Sequence, residues 1–376
     1  MHSIPYNKPF ISGNELSYIA DAVLTGKISG DGKYTKLCQE FFEKKYGFAK
    51  TLLTSSCTDA LEMCALLCNL QQGDEVIAPS YTFVSTVNPF VLRGAVIKFC
   101  DSRKDHPGID ESKIESLITG KTKAIVVTHY AGVACDMDII MALGKKYNLS
   151  IIEDAAHCID AYYKDKPLGS IGHMSAFSFH ETKNIIAGEG GMIVLNKSSL
   201  IERAEVIREK GTNRSKFFRG EVDKYGWVDV GSSFLPSDIT AAFLYAQAEN
   251  IESIQAKRKQ IWQRYYDAFA DLKEQGKVRL PFLPQYSTNN SHIFYLICNT
   301  NEERTSLINY LQKAGILAIF HYLPLHLSAY YTSNHPAESL PMAERYATHL
   351  LRLPLFYTLN KEEQQFIIDK VKKFYA

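Results

Sequence analysis

The chain has 376 residues, of which 46% are apolar and 22% are charged, and its formal net charge is +1. This length favours about two domains with a sizeable buried core, and the composition excludes a disordered chain. A charge near zero, without a basic tract among aromatic residues, argues against a nucleic-acid partner. No apolar run is long enough to cross a bilayer, and the opening MHSIPYNKPF does not predict a signal peptide.

Short apolar runs alternate with helical patterns over the first two thirds of the chain. The runs predict seven strands: Thr51–Leu53, Glu75–Ala78, Val96–Cys100, Ala124–Thr128, Ser150–Glu153, Ser175–Phe179 and Met192–Leu195. Four helices are predicted between the earlier strands: Asp59–Asn69, Phe83–Leu92, Glu111–Ile118 and Met137–Tyr147. This alternation predicts an α/β fold with a mostly parallel sheet, which binds its ligand at the carboxyl ends of the strands.

The last third of the chain has a different pattern. A helical pattern starts near Pro236, a residue suited to a first helical turn, and continues through IESIQAKRKQIWQRYYDAF. A strand (His292–Cys298), a helix (Glu302–Ala314), a strand (Leu317–His321) and two further helices follow. We therefore predict a large domain over residues 1–250 and a smaller α+β domain over residues 251–376.

The cysteines are scattered along the chain, and none forms a Cys-x-x-Cys pair. Such a pattern is typical of reduced thiols in a cytoplasmic protein rather than of a disulfide framework or a zinc site. The eight residues are Cys38, Cys57, Cys64, Cys68, Cys100, Cys135, Cys158 and Cys298.

The segment SIIEDAAH ends a buried strand with two carboxylates, Glu153 and Asp154. A lone strand-end acid is more often a helix cap. The functional alternative is an acid at the ligand edge that pairs with a protonated ring nitrogen and keeps it charged.

A second segment, FSFHETKN, places Lys183 just after an alternating strand and before a glycine-rich turn. Most lysines are solvated surface charges. An amine that is shielded from water loses its proton more easily, however, and can then attack a carbonyl to form a Schiff base.

Two further strand ends carry weaker signals. Ser55, Ser56 and Thr58 lie between a strand and a helix, where they indicate either a phosphate site or an ordinary N-cap. Tyr81 and Phe83 follow the strand EVIAP, where aromatic residues are usually core but can also stack on a planar ligand.

Together these segments resemble the DegT/DnrJ/EryC1/StrS family of sugar aminotransferases, which are fold type I enzymes dependent on pyridoxal 5′-phosphate (PLP). The matching segments span nearly the whole chain and include SGDGKYT, SSCTDALEM, PSYTFVSTVN, EDAAH, GSIGHMSAFSFHETKN, GEGGMI and HYLPLH. The resemblance implies PLP as cofactor, pyridoxamine 5′-phosphate formed between two half-reactions, and a homodimer with active sites at the subunit interface.

The resemblance also implies residue roles. Lys183 would hold PLP as a Schiff base and move protons, and Asp154 would pair with the pyridine nitrogen. The other cofactor contacts would be His157 near the ring hydroxyl, Phe83 against the ring, Cys57, Thr58 and Ser178 at the phosphate, and Ser233 toward the partner's phosphate. Cys57 and Ser233 stand where the family usually has Gly and Asn.

Within the family, FSFHETKN, REKGTNRSKFFRGEVDKYGW, DVGSSFL and HYLPLH resemble most the enzymes that make dTDP-4-amino-4,6-dideoxygalactose for enterobacterial common antigen. This implies dTDP-4-keto-6-deoxyglucose as acceptor, L-glutamate as donor, and a place in lipopolysaccharide, O-antigen or common antigen biosynthesis. A gluco product and amination at C3 of a dTDP-3-keto-6-deoxyhexose are the alternatives. The predicted substrate contacts are His180, Arg214, Arg219, His321, Tyr322 and His326.

Other interpretations of these residues and of the function are open. The histidines of HYLPLH also suit an ordinary strand edge, and Arg214 and Arg219 also suit an exposed loop. A sugar dehydratase on the same fold would replace the lysine with histidine, which Lys183 argues against. A non-catalytic regulator that binds PLP or a nucleotide sugar lacks a supporting DNA-binding segment. A metal hydrolase would need short paired histidine spacing, which this chain does not have.

Overall fold

The computed structural model describes residues 3–376 and contains a central sheet of seven strands. The first nine strands of the described residues are β1 Thr51–Thr54, β2 Glu75–Pro79, β3 Val96–Cys100, β4 Thr122–Thr128, β5 Ser150–Asp154, β6 Tyr162–Tyr163, β7 Lys166–Pro167, β8 Met174–Ser178 and β9 Gly191–Leu195. The sheet order is β1-β9-β8-β5-β4-β2-β3, with β6 and β7 forming a separate hairpin. Only β9 runs against the other six strands, so the predicted mostly parallel sheet is confirmed.

The sheet is buried on both faces because successive residues of its strands point to opposite sides. In β4, Ile125 and Val127 pack into one apolar cluster, whereas Ala124 and Val126 pack into another. Helices cover the two faces: α1 Glu15–Leu24, α2 Lys33–Tyr46, α3 Cys57–Leu67, α4 Asn88–Val91, α5 Glu111–Leu117, α6 Met137–Tyr147, α7 Ile201–Arg208 and α9 Asp238–Glu249. A further short helix, α8 Arg214–Phe218, buries none of its residues.

A second sheet with its own apolar cluster lies in the last third of the chain. The elements are α10 Ile251–Ala268, α11 Ala270–Glu274, β10 Val278–Arg279, β11 Phe294–Cys298, α12 Asn301–Lys313, β12 Ile319–Phe320, α13 Ala329–Thr332, α14 Pro341–His349, β13 Leu350–Leu353 and α15 Lys361–Tyr375. The strand order is β10-β11-β13-β12, with all neighbours antiparallel. The division at residues 250 and 251 stays a prediction, because α10 contributes Ile254 to a cluster of the large sheet and Ile261 to the cluster of the second sheet.

The continuous helix expected from Pro236 onward is wrong in detail. Ser237 caps α9, accepting a hydrogen bond from the Thr240 N–H at 3.2 Å, so Pro236 precedes the cap instead of occupying the first turn. Asn250 then separates α9 from α10. The helical spacing of apolar residues continues across Asn250, so the sequence pattern does not indicate that the helix ends there.

His106 makes stability depend on pH. Its side chain is buried, its Nδ1 accepts a hydrogen bond from the Gly108 N–H at 3.0 Å, and its Nε2 has no partner among residues 3–376. Burial lowers the pKa of His106 to about 4. The folded chain therefore keeps this ring neutral, while the unfolded chain takes up a proton below about pH 6.5, so stability is lost as pH falls from about 6.5 toward 4.

We expect His106 to remove about 2 kcal/mol of unfolding free energy between pH 7.5 and pH 5. Urea unfolding of the wild type and of His106→Asn at both pH values measures this contribution. The variant should lose less stability on acidification than the wild type. Equal losses in the two proteins would show that His106 does not titrate as its burial requires.

Candidate active site

Five strand ends of the large sheet converge on one cavity of about 600 Å³, which the second sheet closes from the other side. Parallel strands bring their carboxyl ends to the same edge, so the ends of β1, β2, β4, β5 and β8 and the segments that follow them meet here. They contribute Ser56, Cys57, Thr58, Thr82, Phe83, Ser85, Thr128, Asp154, Ala156, His157, Ser178, His180, Thr182 and Lys183 to the lining. The opposite wall comes from Tyr6, His292, Ile319, His321, Tyr322 and Arg352.

Asp154 is the last residue of β5 and is 5% exposed. Its Oδ2 accepts a hydrogen bond from Thr86 Oγ1 at 2.6 Å, and its Oδ1 accepts one from the Ala156 N–H at 3.2 Å. Burial raises the pKa of Asp154, and these two hydrogen bonds oppose the rise. A fixed, desolvated carboxylate of this kind favours a cationic partner such as a protonated ring nitrogen.

Glu153, the neighbouring acid, has a different environment because successive strand residues face opposite ways. It is fully buried and accepts hydrogen bonds from the N–H groups of Gly169, Ile171 and Gly172 at 2.6–2.9 Å, and it is hydrogen-bonded to His129 Nε2 at 3.0 Å. Burial alone would raise the pKa of Glu153, but these bonds outweigh it and lower the pKa. Glu153 thus fixes the loop before β8, and Asp154 alone faces the cavity.

Lys183 lies in the loop after β8 and is the only lysine on the cavity lining among residues 3–376. Within that part of the chain its Nζ has no hydrogen-bond or ion-pair partner. Burial lowers the pKa of Lys183, although the nearby Cys57 and Asp154 partly offset this. A larger neutral fraction makes the amine a better nucleophile toward a carbonyl group.

Asn184 holds the lysine loop in place. It is buried, and its Nδ2 donates to Gln255 Oε1 at 2.7 Å and to the Asn290 carbonyl at 2.9 Å. Its Oδ1 is hydrogen-bonded to His292 Nδ1 at 2.7 Å. The residue after the lysine therefore ties this loop to α10 and to the chain that enters β11.

The start of α3 forms an anion-binding corner. Ser56 is its N-cap, with its side chain accepting from the Asp59 N–H at 3.0 Å, while the first N–H groups of the helix point toward the cavity end of the sheet. Thr58 Oγ1 donates to Ser85 Oγ at 2.9 Å, and Ser178 adds another hydroxyl to the lining. β9 passes so close that a Cβ on Gly191 would lie 2.3 Å from the Ser56 carbonyl oxygen, so only glycine fits there.

Aromatic rings line the rest of the cavity. Phe83 is 56% exposed into it, and its ring centroid lies 6.2 Å from that of Tyr322. The rings of His157 and His292 are 4.3 Å apart. Burial lowers the pKa of both histidines well below the usual range, and burial lowers that of His321 to about 3.

His157 has a defined tautomer. Its Nδ1 accepts a hydrogen bond from the Ala131 N–H at 3.2 Å, so in the neutral ring the proton resides on Nε2, which lies 3.5 Å from Tyr322 Oη. This edge of the cavity therefore offers a neutral N–H and a phenol, which suit a hydroxyl or phenolate oxygen.

The structure does not bring every predicted site residue to this cavity. Arg214, Arg219 and Ser233 line another cavity of about 830 Å³, whose lining includes neither Lys183 nor Asp154. There Arg214 lies 3.5 Å from Glu209, and Arg219 lies 2.9 Å from Glu205. His326 is buried outside both cavities, hydrogen-bonded to Ser80 at 2.7 Å and to Glu344 at 3.3 Å. His180, His321 and Tyr322 do line the cavity with Lys183.

Sequence reasoning missed Thr86, His292, Arg352 and Tyr6. Thr86 follows Phe83 in PSYTFVST, where a hydroxyl beside the singled-out aromatic was an available signal. Arg352 interrupts the apolar run LLRLPLF, which is a second such signal. His292 and Tyr6 reach the cavity through tertiary contacts that no local pattern reports.

The sequence profile of the DegT/DnrJ/EryC1/StrS aminotransferase family matches residues 9–372. The chain belongs to this family. Enzymes of the family use PLP, and the predicted aminotransferase activity and fold type I architecture are thereby confirmed.

Individual relatives agree with this assignment. An uncharacterised protein of Methanocaldococcus jannaschii is 31% identical over 98% of this chain and 97% of its own. Helicobacter pylori PseC, an aminotransferase of pseudoaminic acid biosynthesis, has a TM-score of 0.90 and 27% identity over 100% of this chain and 99% of its own. A Streptococcus pneumoniae protein assigned as a sugar aminotransferase, in its PLP form, has a TM-score of 0.91 and 26% identity over 99% and 98% of the two chains.

The residues of this sugar aminotransferase fit PLP. The cavity combines an unpaired amine (Lys183), a buried oriented acid (Asp154) and an anion-binding helix start (Cys57 and Thr58), which match an aldehyde, a ring nitrogen and a phosphate. Within residues 3–376, no group of three His, Cys, Asp or Glu side chains is placed to hold a metal ion. In the same residues, no helix is long and apolar enough to span a membrane.

Proposed function

We propose that this aminotransferase moves the amino group of L-glutamate to C4 of dTDP-4-keto-6-deoxyglucose, giving dTDP-4-amino-4,6-dideoxygalactose. The observation that carries the chemistry is the placement of the Lys183 amine and the Asp154 carboxylate on one cavity. The choice of sugar rests on the segments FSFHETKN, DVGSSFL and HYLPLH. His180 of the first segment and His321 and Tyr322 of the third line that cavity.

Each residue then has a defined task. When bound, PLP supplies an electron-withdrawing ring that accepts the electron pair left at the donor's α-carbon. Asp154 holds a proton at the ring nitrogen, and the start of α3 with Ser178 binds the phosphate. Lys183 Nζ would take the α-proton of glutamate and deliver it, on the same face, to the cofactor carbon that carries the nitrogen. For the sugar it would move a proton in the opposite direction, from that carbon to C4. Phe83 would lie against the ring of the cofactor, and His157 would offer its Nε2–H to the ring hydroxyl.

We also propose that the enzyme is a homodimer acting in the cytoplasm. Leu24 and Trp227 are more than 80% exposed, and each is close in sequence to residues that line the cavity with Arg214 and Ser233. Exposed large apolar side chains that form a patch are typical of a protein interface. All eight cysteines are free, as expected in a reducing compartment.

The test is product analysis by NMR after incubating the PLP-loaded enzyme with glutamate and dTDP-4-keto-6-deoxyglucose. We expect stoichiometric 2-oxoglutarate and a sugar with an axial amine at C4. An equatorial amine would contradict the galacto assignment, and an amine at C3, formed only from the 3-keto isomer, would contradict the choice of carbon. Absence of 2-oxoglutarate with either sugar would contradict the proposed donor.

A further inference from the structure

Arg352 is a buried arginine on the cavity wall, and among residues 3–376 its guanidinium group has no hydrogen-bond or ion-pair partner. It lies in β13 between Leu351 and Leu353, opposite Tyr295 of β11 and Ile319 of β12, and it is 6% exposed. It lines the same cavity as Lys183. A charged side chain in the middle of an apolar strand is costly unless another group neutralises it.

The guanidinium group makes no ion pair or hydrogen bond to residues 3–376, and its Nε is buried without an acceptor. Its only specific protein contact there is the ring of Tyr6, whose centroid is 4.5 Å away. Burial lowers the pKa of Arg352 to about 9, so the group stays charged at neutral pH.

Arg258 is an informative comparison within the same chain. It is equally buried, and burial likewise lowers its pKa to about 9. Its Nε, however, donates to the Ser291 carbonyl at 3.2 Å, and its Nη2 donates to the His292 carbonyl at 2.7 Å. Arg258 therefore has a structural role, whereas the donors of Arg352 remain available to a ligand in the cavity.

A guanidinium group pairs best with an anion that presents two oxygens in one plane. We therefore expect the ligand of Arg352 to be such an anion. Among residues 3–376, Arg352 and Lys183 are the only lysine or arginine side chains on the lining. Arg352 is 6% exposed and lies within a paired strand, a position that suits a small anion better than a diphosphate linked to a nucleoside. An amino acid donor, by contrast, fits wholly within the cavity.

We propose that Arg352 binds a carboxylate of the amino donor. This inference rests on the proposed function, since it takes glutamate as the donor.

The test separates the two half-reactions in the PLP-loaded wild type, Arg352→Gln, Arg352→Lys and the control Arg345→Gln, which removes an exposed charge from the same part of the chain. In one arm, glutamate alone is titrated and the absorbance change of the cofactor gives the half-saturating concentration. In the other arm, enzyme loaded with pyridoxamine 5′-phosphate reacts with dTDP-4-keto-6-deoxyglucose alone. The cofactor spectrum before substrate addition reports whether each variant has an intact site.

We expect Arg352→Gln to raise the half-saturating glutamate concentration about 10- to 100-fold, with a smaller increase for Arg352→Lys and an unchanged sugar arm. Arg345→Gln should match the wild type in both arms. If the wild type responds to glutamate and Arg352→Gln has the same half-saturating glutamate concentration, this inference alone is overturned. A loss of activity in Arg352→Gln that is confined to the reaction with the sugar would overturn it as well. If glutamate does not change the cofactor absorbance of the wild type, glutamate is not the donor, and both the proposed donor and this inference are overturned.

Discussion

Replacing Lys183 with alanine is expected to lower turnover by at least about 10⁴-fold. The change removes both the amine that holds the cofactor and the base that moves the proton. Among residues 3–376 no second lysine lines the cavity, so no neighbouring amine can substitute. Because the side chain has no structural partner in that part of the chain, its removal should leave the fold intact.

The matched control is Lys197→Ala, which removes an exposed lysine just after β9. Steady-state formation of 2-oxoglutarate and of the amino sugar measures the effect, and thermal unfolding reports on the fold. The Lys183→Ala protein should still bind PLP and could retain the sugar product bound to it. Normal turnover in a folded Lys183→Ala protein would refute the role of this residue.

Replacing Asp154 with asparagine is expected to lower kcat by about 10²- to 10³-fold, because an amide cannot hold a proton at the ring nitrogen. Asparagine keeps the size of the side chain and can still accept the hydrogen bond from the Ala156 N–H. The loss should therefore reflect charge rather than packing.

Thr86→Val provides a graded comparison. It removes the 2.6 Å hydrogen bond to Asp154 Oδ2 but leaves the carboxylate in place, so we expect a loss of only about 10-fold. Single-turnover absorbance changes with glutamate measure both variants. If Asp154→Asn matched the wild type, or if Thr86→Val lost as much as Asp154→Asn, the carboxylate would not have the assigned role.

The strands of the large sheet were predictable because their burial requires a run of apolar residues that is visible in the local sequence. Segments such as Ser150–Asp154 are short apolar runs bounded by polar residues, and the predicted bounds lie within about two residues of those observed. The helices α1 and α2 were not predicted, since their apolar residues pack on α9, far along the chain.

The site was predictable in part for the same reason. Lys183 follows one strand and Asp154 ends another, and the carboxyl ends of both strands must share an edge, so topology alone brings them to one cavity. Thr86 acts through a hydrogen bond to Asp154, and Arg352 reaches the cavity because β13 pairs with β11 and β12. Neither placement is encoded by spacing along the chain. The different roles of Glu153, which holds the loop before β8, and Asp154, which faces the cavity, likewise depend on which face of β5 each residue occupies.

The most direct test of the account is to reduce the PLP-loaded enzyme with borohydride, digest it and locate the phosphopyridoxyl group by mass spectrometry. The account predicts one modified peptide, with the group on Lys183, and no modification when the enzyme is first converted to its pyridoxamine form with glutamate. A group on any other lysine, or no covalent attachment in a protein that binds PLP, would contradict it.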